Sequence, residues 1–171
     1  CLLYQLGGVY MDIDMEPKKN FNKIFDHSKK FGFYSVLGSS EDPENFLQRK
    51  TRRLLYEGNG HIFQALMGTY PKNPLMLNLT EDFFTVPNPE VRYDVFTYIF
   101  YDKLRDLIGK PLYMGENKYL NNKKSITLYG EFNLGYIPGE ELDRYGGLFH
   151  VVDNDNNILV RSRYADYPWD K

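Results

Sequence analysis

Hydrophobic positions fall into two rhythms along the chain. Up to Ile108, compact apolar runs alternate with stretches in which apolar residues return every three or four positions. The opening reads as the last turn of a helix, Cys1 to Leu6, then two glycines that reverse the backbone, then a short strand from Val9 to Asp14. Gly32 to Leu37 reads as a buried strand beside the first, and Ile62 to Met67 is a second apolar run of the same kind. Asp42 or Pro43 to Glu57 reads as a helix, with Pro43 in its first turn and acidic residues at its N-terminal end. Leu75 to Phe84 reads as a short helix packed on the sheet. Glu90 to Ile108 is the longest helix, because Val91, Val95, Phe96, Ile99, Phe100, Leu104, Leu107 and Ile108 form a stripe that faces a core. Gly109 and Pro111 stop it.

Beyond Pro111 the rhythm changes to that of strands. Leu112 to Met114, Ser125 to Tyr129, Leu148 to Val152 and Ile158 to Ser162 are strand-like, and the last two make a hairpin across Asp153 to Asn157. These elements together predict one α/β domain with a mostly parallel core sheet and a β-rich C-terminal section.

Composition narrows the class. The chain has 171 residues, 42% of them hydrophobic and 26% charged, which suits a globular domain with a real core. A formal net charge of -2 gives no basic footprint and argues against nucleic acid as a partner. The single Cys1 excludes an internal disulfide. No run of about 18 apolar residues is present to span a membrane as a helix. Fifteen Tyr and twelve Phe exceed what packing needs. Tyrosine suits carbohydrate contact through its flat face and its hydroxyl, and a coding bias toward AT-rich codons explains the same count.

Candidate chemistry lies at the end of the first strand. Alternation along a strand turns Asp12 and Asp14 to one side and Ile13 to the other, into apolar packing, so two carboxylates converge. A hard divalent cation, Mn2+ or Mg2+, accepts such oxygens and keeps waters and phosphates as its other ligands. The alternative for Asp12 and Asp14 is a strand end entering a loop. The pattern recurs at Asp153 and Asp155, inside Asp-Asn-Asp-Asn-Asn, where it reads as a turn.

The stretch Leu-Leu-Tyr-Gln-Leu-Gly-Gly-Val-Tyr-Met-Asp-Ile-Asp-Met resembles the sugar-nucleotide signature of DXD-type glycosyltransferases, in particular glycosyltransferase family 32. The resemblance implies a nucleotide-sugar transferase fold, GT-A-like and Rossmann-related, of which the chain would be the C-terminal two-thirds. It implies a metal-dependent transferase that moves a hexose from a UDP- or GDP-hexose to a glycan or other hydroxyl acceptor, usually with retention. Asp12 and Asp14 would hold the metal and serve catalysis, while Gly7, Gly8 and Tyr10 would lie against the donor. Asn59, before a Pro-rich turn, would line the sugar pocket. Near the C-terminus Trp169 would fold over the diphosphate, and His150 or Asp166 would supply a third metal ligand. Arg161 and Arg163 would pair with phosphate, which a guanidinium fork suits, or be solvated arginines of an outer strand. An N-terminal part supplied elsewhere, or an oligomer, would complete the enzyme, and the compartment, cytoplasmic or Golgi-lumenal, would follow from what precedes Cys1. The rival is a non-catalytic carbohydrate-binding or assembly module that keeps the motif as a relic.

Overall fold

Glycine and asparagine punctuate the chain where its elements begin and end. The computed structural model describes residues 2–25, 32–38, 61–85, 93–120, 123–133 and 149–162. Helix α1 (Leu2–Leu6) stops at Gly7, whose φ of +66° is the left-handed helix-closing conformation, and the Gly7 amide donates to the Leu3 carbonyl at 2.9 Å. A Cβ at Gly7 would stand 2.6 Å from Pro71, so backbone conformation and packing both demand glycine there. Strands β1 (Gly8–Met11) and β2 (Met15–Pro17) follow, then helix α2 (Phe21–Ile24), which Asn20 caps by accepting from the Asn22 amide. After β3 (Gly32–Gly38) and β4 (His61–Thr69), Asn73 caps α3 (Pro74–Thr85) with its side chain on the Leu75 amide, and Pro74 takes the first helical position. Helix α4 (Tyr93–Ile108) ends at Gly109, and β5 (Gly115–Tyr119), β6 (Lys124–Asn133), β7 (Phe149–Val152) and β8 (Ile158–Ser162) complete the described elements.

The sheet has eight strands in the order β1-β4-β3-β6-β7-β8-β2, with β5 paired to β6 off that path. Among the described residues only β3 and β6 run parallel; the other pairings are antiparallel. This corrects the expected mostly parallel core, and the molecule is sheet-rich where a Rossmann-like alternation of strand and helix was expected. Three local expectations also change. The first strand ends at Met11, short of Asp14. A strand, β2, occupies part of the expected loop after Asp14, and β5 forms after Met114, not across Leu112 to Met114. The strand at Gly32 is separated from β1 by β4. The helix expected over Asp42 to Glu57 lies outside the described residues.

Strand β6 is the hub. Its contact with β3 occupies one edge from Ser125 to Glu131, so β5, on Lys124 to Leu128, and β7, on Gly130 to Asn133, share the other edge end to end. The sheet therefore forks at Tyr129. Gly115 at the start of β5 makes room for the β7–β8 turn, since a Cβ there would stand 2.1 Å from the Asn154 side chain. The sheet also curls. Strands β1 and β2 are the two ends of its main path, six strand spacings apart, about 29 Å if the sheet were flat. Four Cα steps from Met11 to Met15 reach at most about 15 Å. The Asp12–Asp14 segment thus bridges two edges that the curl has drawn together.

Apolar side chains fill both faces. One cluster joins Phe33, Leu37, Ile62, Ile126, Leu128 and Phe132 to the stripe of α4 at Phe100, Tyr101 and Leu104 and to α3 at Leu75, Met76 and Leu79. The other takes in Met15, Ile24, Phe25, Tyr34, Leu66, Tyr129, Val151 and Val160, with Met11 packed against it. No helix among the described residues is long and apolar enough to cross a membrane.

Candidate functional site

The Asp12–Asp14 segment is a turn. The Asp12 amide donates to the Ala65 carbonyl at 2.9 Å, which fastens the end of β1 to β4, and the Met15 amide donates back to the Asp12 carbonyl at 3.1 Å. That four-residue closure is a β-turn with Asp12 first and Asp14 third. Ile13 stands at its apex, 92% exposed, and not in the packing that strand alternation predicts. From Met15 the chain enters β2 and pairs with β8, so both ends of the turn are held by ladders.

The two carboxylates differ. Asp12 accepts a short hydrogen bond on Oδ1 from the hydroxyl of Tyr10, which shares its side of β1. Asp14 is partly buried, and of its two oxygens Oδ1 is sealed from solvent without a partner. Burial pushes its carboxyl above the usual range; a backbone hydrogen bond opposes the shift, and the charge of Asp12 adds to it. No Lys or Arg among the described residues pairs with either aspartate.

A third acid, which the sequence reading missed, faces this turn. Glu131 lies in β6 on the same side as Tyr129, and its cross-strand neighbour Val151 and, one strand further, Val160 belong to the cluster on that face. It is 7% exposed and its Oε1 is sealed without a hydrogen bond. Burial first, and the charge of Asp14 second, raise its carboxyl to about 8. Its signal in the sequence was a lone Glu at even spacing from Thr127 and Tyr129, in a strand expected to end at Tyr129.

The remaining candidates are scattered. Gly7 and Gly8 have positive φ, +66° and +100°, and flank the start of β1. His150 is fully buried in β7, and Arg161 is buried in β8, opposite His150 on one side and Glu16 of β2 on the other. The solvated arginine of an outer strand is therefore not what Arg161 is: β2 covers β8. Asn59, Arg163, Asp166 and Trp169 lie outside the described residues. Among the described residues no group of three or more His, Cys, Asp or Glu is placed to hold a metal ion.

Two carboxylates one residue apart, without a cationic partner among the described residues and one with an orphaned oxygen, fit a hard divalent ion that takes its other ligands from water and phosphate. Residues 1–31 match the family model described as the glycosyltransferase sugar-binding region containing DXD motif. The match covers α1, β1, the Asp12–Asp14 turn, β2 and α2, and it supports a DXD glycosyltransferase-like region there. No curated protein and no solved structure matches the chain.

Proposed function

We propose that the Asp12–Asp14 turn is the donor site of a metal-dependent glycosyltransferase, of the kind found in family 32, which moves a hexose from a UDP- or GDP-hexose to a hydroxyl acceptor with retention. The observation that carries this is a coincidence: the matched segment contains the turn that bears Asp12 and Asp14, neither of which pairs with a Lys or Arg among the described residues. Asp12 and Asp14 would hold Mn2+ or Mg2+ against the donor diphosphate. When bound, the ion offsets charge that develops on the departing nucleotide. Tyr10 fixes the Asp12 carboxylate through its hydroxyl and is half-exposed, where a sugar or base can lie against it. Gly7, packed against Pro71, closes α1, and Gly8 at the start of β1 has open space where a Cβ would stand, which allows close approach.

The test is nucleotide-sugar hydrolysis with and without Mn2+, for the protein and for Asp14→Asn. Mn2+-dependent turnover that Asp14→Asn abolishes supports the assignment, and equal turnover in both rejects it. A second reading, a non-catalytic carbohydrate-binding or assembly module, draws support from the match covering residues 1–31 alone. Titration with UDP and GDP in the presence of Mn2+ separates the two, since a relic of the motif binds neither.

A further inference from the structure

Helices α3 and α4 and the β5–β6 hairpin line a cleft that the donor turn does not use. Its volume is about 380 Å³, at the lower end of the range for small-molecule sites. None of its lining residues belongs to the matched segment. Leu75 and Leu79 of α3 line it from the buried cluster on that face, and Leu107 of α4 and Leu120 after β5 line it as exposed side chains. Leu120 also holds φ at +50°, a left-handed conformation that strains a leucine. An exposed apolar side chain on strained backbone gains the fold little, whereas as part of an apolar wall it offers contact area to a ligand.

Two polar groups without partners meet in the same cleft. Tyr119 and Lys124 are opposite each other in the β5–β6 ladder, so their side chains leave the sheet on one side, and both line the cleft. Tyr119 is 7% exposed, and among the described residues its hydroxyl has no hydrogen-bond partner. A buried hydroxyl in that state costs stability until a partner arrives. This one is not among the oxygens sealed from solvent, so a molecule in the cleft can reach it. Burial, and after it the charge of Tyr70, hold its phenol above the usual range, which keeps it a donor at neutral pH. Lys124 is half-buried and pairs with no carboxylate among the described residues. Lys103 of α4 adds a second positive charge, and the one acid in the lining, Asp106, lies 3.5 Å from the Arg105 guanidinium. An apolar wall with a hydroxyl donor and an unpaired ammonium on its hairpin side selects a molecule that is apolar in its body and negative at its head.

We propose that this cleft binds a small amphipathic anion, a single apolar chain with one carboxylate or phosphate head, its body against the leucines and its head on Lys124 and the Tyr119 hydroxyl. The proposal does not depend on the donor assignment, since its test uses neither nucleotide nor Mn2+. Calorimetric titration below the micelle concentration compares octanoate, decanoate, decyl phosphate, decanol and decyltrimethylammonium on the full chain. The two decyl anions bind about ten-fold or more tighter than decanol, and the decyl cation does not bind. The tighter anion identifies the head group. Decanoate exceeds octanoate by about four-fold for each added methylene. Lys124→Gln weakens both decyl anions about ten-fold and changes decanol by less than about two-fold. Tyr119→Phe also weakens the anions, yet leaves the melting temperature unchanged or higher, because the hydroxyl it removes has no partner to lose. Leu107→Trp, which fills the cleft from its exposed side, weakens every probe that binds. Decanol bound as tightly as the anions, unchanged anion affinity in Lys124→Gln, a lower melting temperature in Tyr119→Phe, or no binding of any probe overturns the proposal. So does sedimentation as a dimer that Leu107→Trp dissociates, which gives the cleft to a second copy of the chain.

Discussion

The chain writes Asp-x-Asp twice and uses it in opposite ways. At the β7–β8 turn the Asp153 carboxylate accepts from the amides of Asp155 and Asn157, both at 2.9 Å, and from the Asn157 side chain at 2.9 Å. Its acceptor capacity is spent on its own loop, which also holds Asn156 at φ +61°. At the β1–β2 turn Asp14 has a sealed, unpartnered oxygen, a raised carboxyl and Asp12 beside it. One pair builds a turn; the other is held by ladders on both sides and left unsatisfied. Spacing does not distinguish them, whereas unsatisfied charge does, and the matched segment covers only the second kind.

The widest separation between the two turns is expected in catalysis. Asp12→Asn and Asp14→Asn should each lower Mn2+-dependent nucleotide-sugar hydrolysis about 100-fold or more, the scale of losing a group that offsets transition-state charge. Asp155→Asn should leave the rate within about two-fold, because a solvated loop residue stabilises no transition-state charge. Comparable losses at both turns would erase the distinction.

Next in size is the response to pH. Glu131 binds its proton more tightly in the folded chain, at about 8 against an ordinary 4.5, so the folded state holds more protons than the unfolded state between those values. Stability therefore falls as pH rises from about 4.5 to about 8 and then levels, and the upward shift of Asp14 adds a fall of the same sign just above the normal carboxylate range. Urea unfolding across that range should show the decline in the wild-type protein and a flatter profile in Glu131→Gln. A wild-type profile that rises toward pH 8 would mean that Glu131 is ionised and paired.

Stability should then reverse the ranking of the two turns. Asp153→Ala removes the carboxylate that the Asp155 amide, the Asn157 amide and the Asn157 side chain all donate to, and should cost about 1–2 kcal/mol. Asp14→Asn removes a partly buried charge beside Asp12 and should be neutral or stabilising by denaturant midpoint. If Asp14→Asn costs as much as Asp153→Ala, then Asp14 is structural.

What could be read in advance was what local chemistry decides. The β7–β8 hairpin announces itself because Asp153 to Asn157 carry turn chemistry between two β-branched runs, and α4 because its stripe repeats with helical period. Strand β2 was illegible: Met15–Pro17 is three residues with no apolar run, and its proline survives because β2 is an edge strand that pairs on one side only. The antiparallel majority of the sheet and its curl depend on long-range pairings, β1 (from Gly8) with β4 (from Thr69) and β2 (from Met15) with β8 (from Ser162), which no local pattern encodes. Glu131 was hidden for the same reason. Its meaning comes from facing Asp14, far away in sequence and near only once the sheet has closed.

The smallest effect is expected at Ile13, and it decides whether the Asp12–Asp14 segment is a turn at all. Strand alternation would bury Ile13, and truncating a buried isoleucine costs about 2–5 kcal/mol. The structure places it at the apex with 92% of its surface exposed, so Ile13→Ser should stay within about 0.5 kcal/mol of the wild-type protein by urea midpoint. A loss above about 2 kcal/mol would carry β1 on through Asp14, put both carboxylates on one strand face and remove the turn geometry argued for above. Because apolar side chains this exposed gain nothing for the fold, an Ile13→Ser protein with unchanged stability but altered turnover would mark the apex as a surface that meets donor or acceptor. Unchanged stability and unchanged turnover would confine the chemistry to the carboxylates on either side of it.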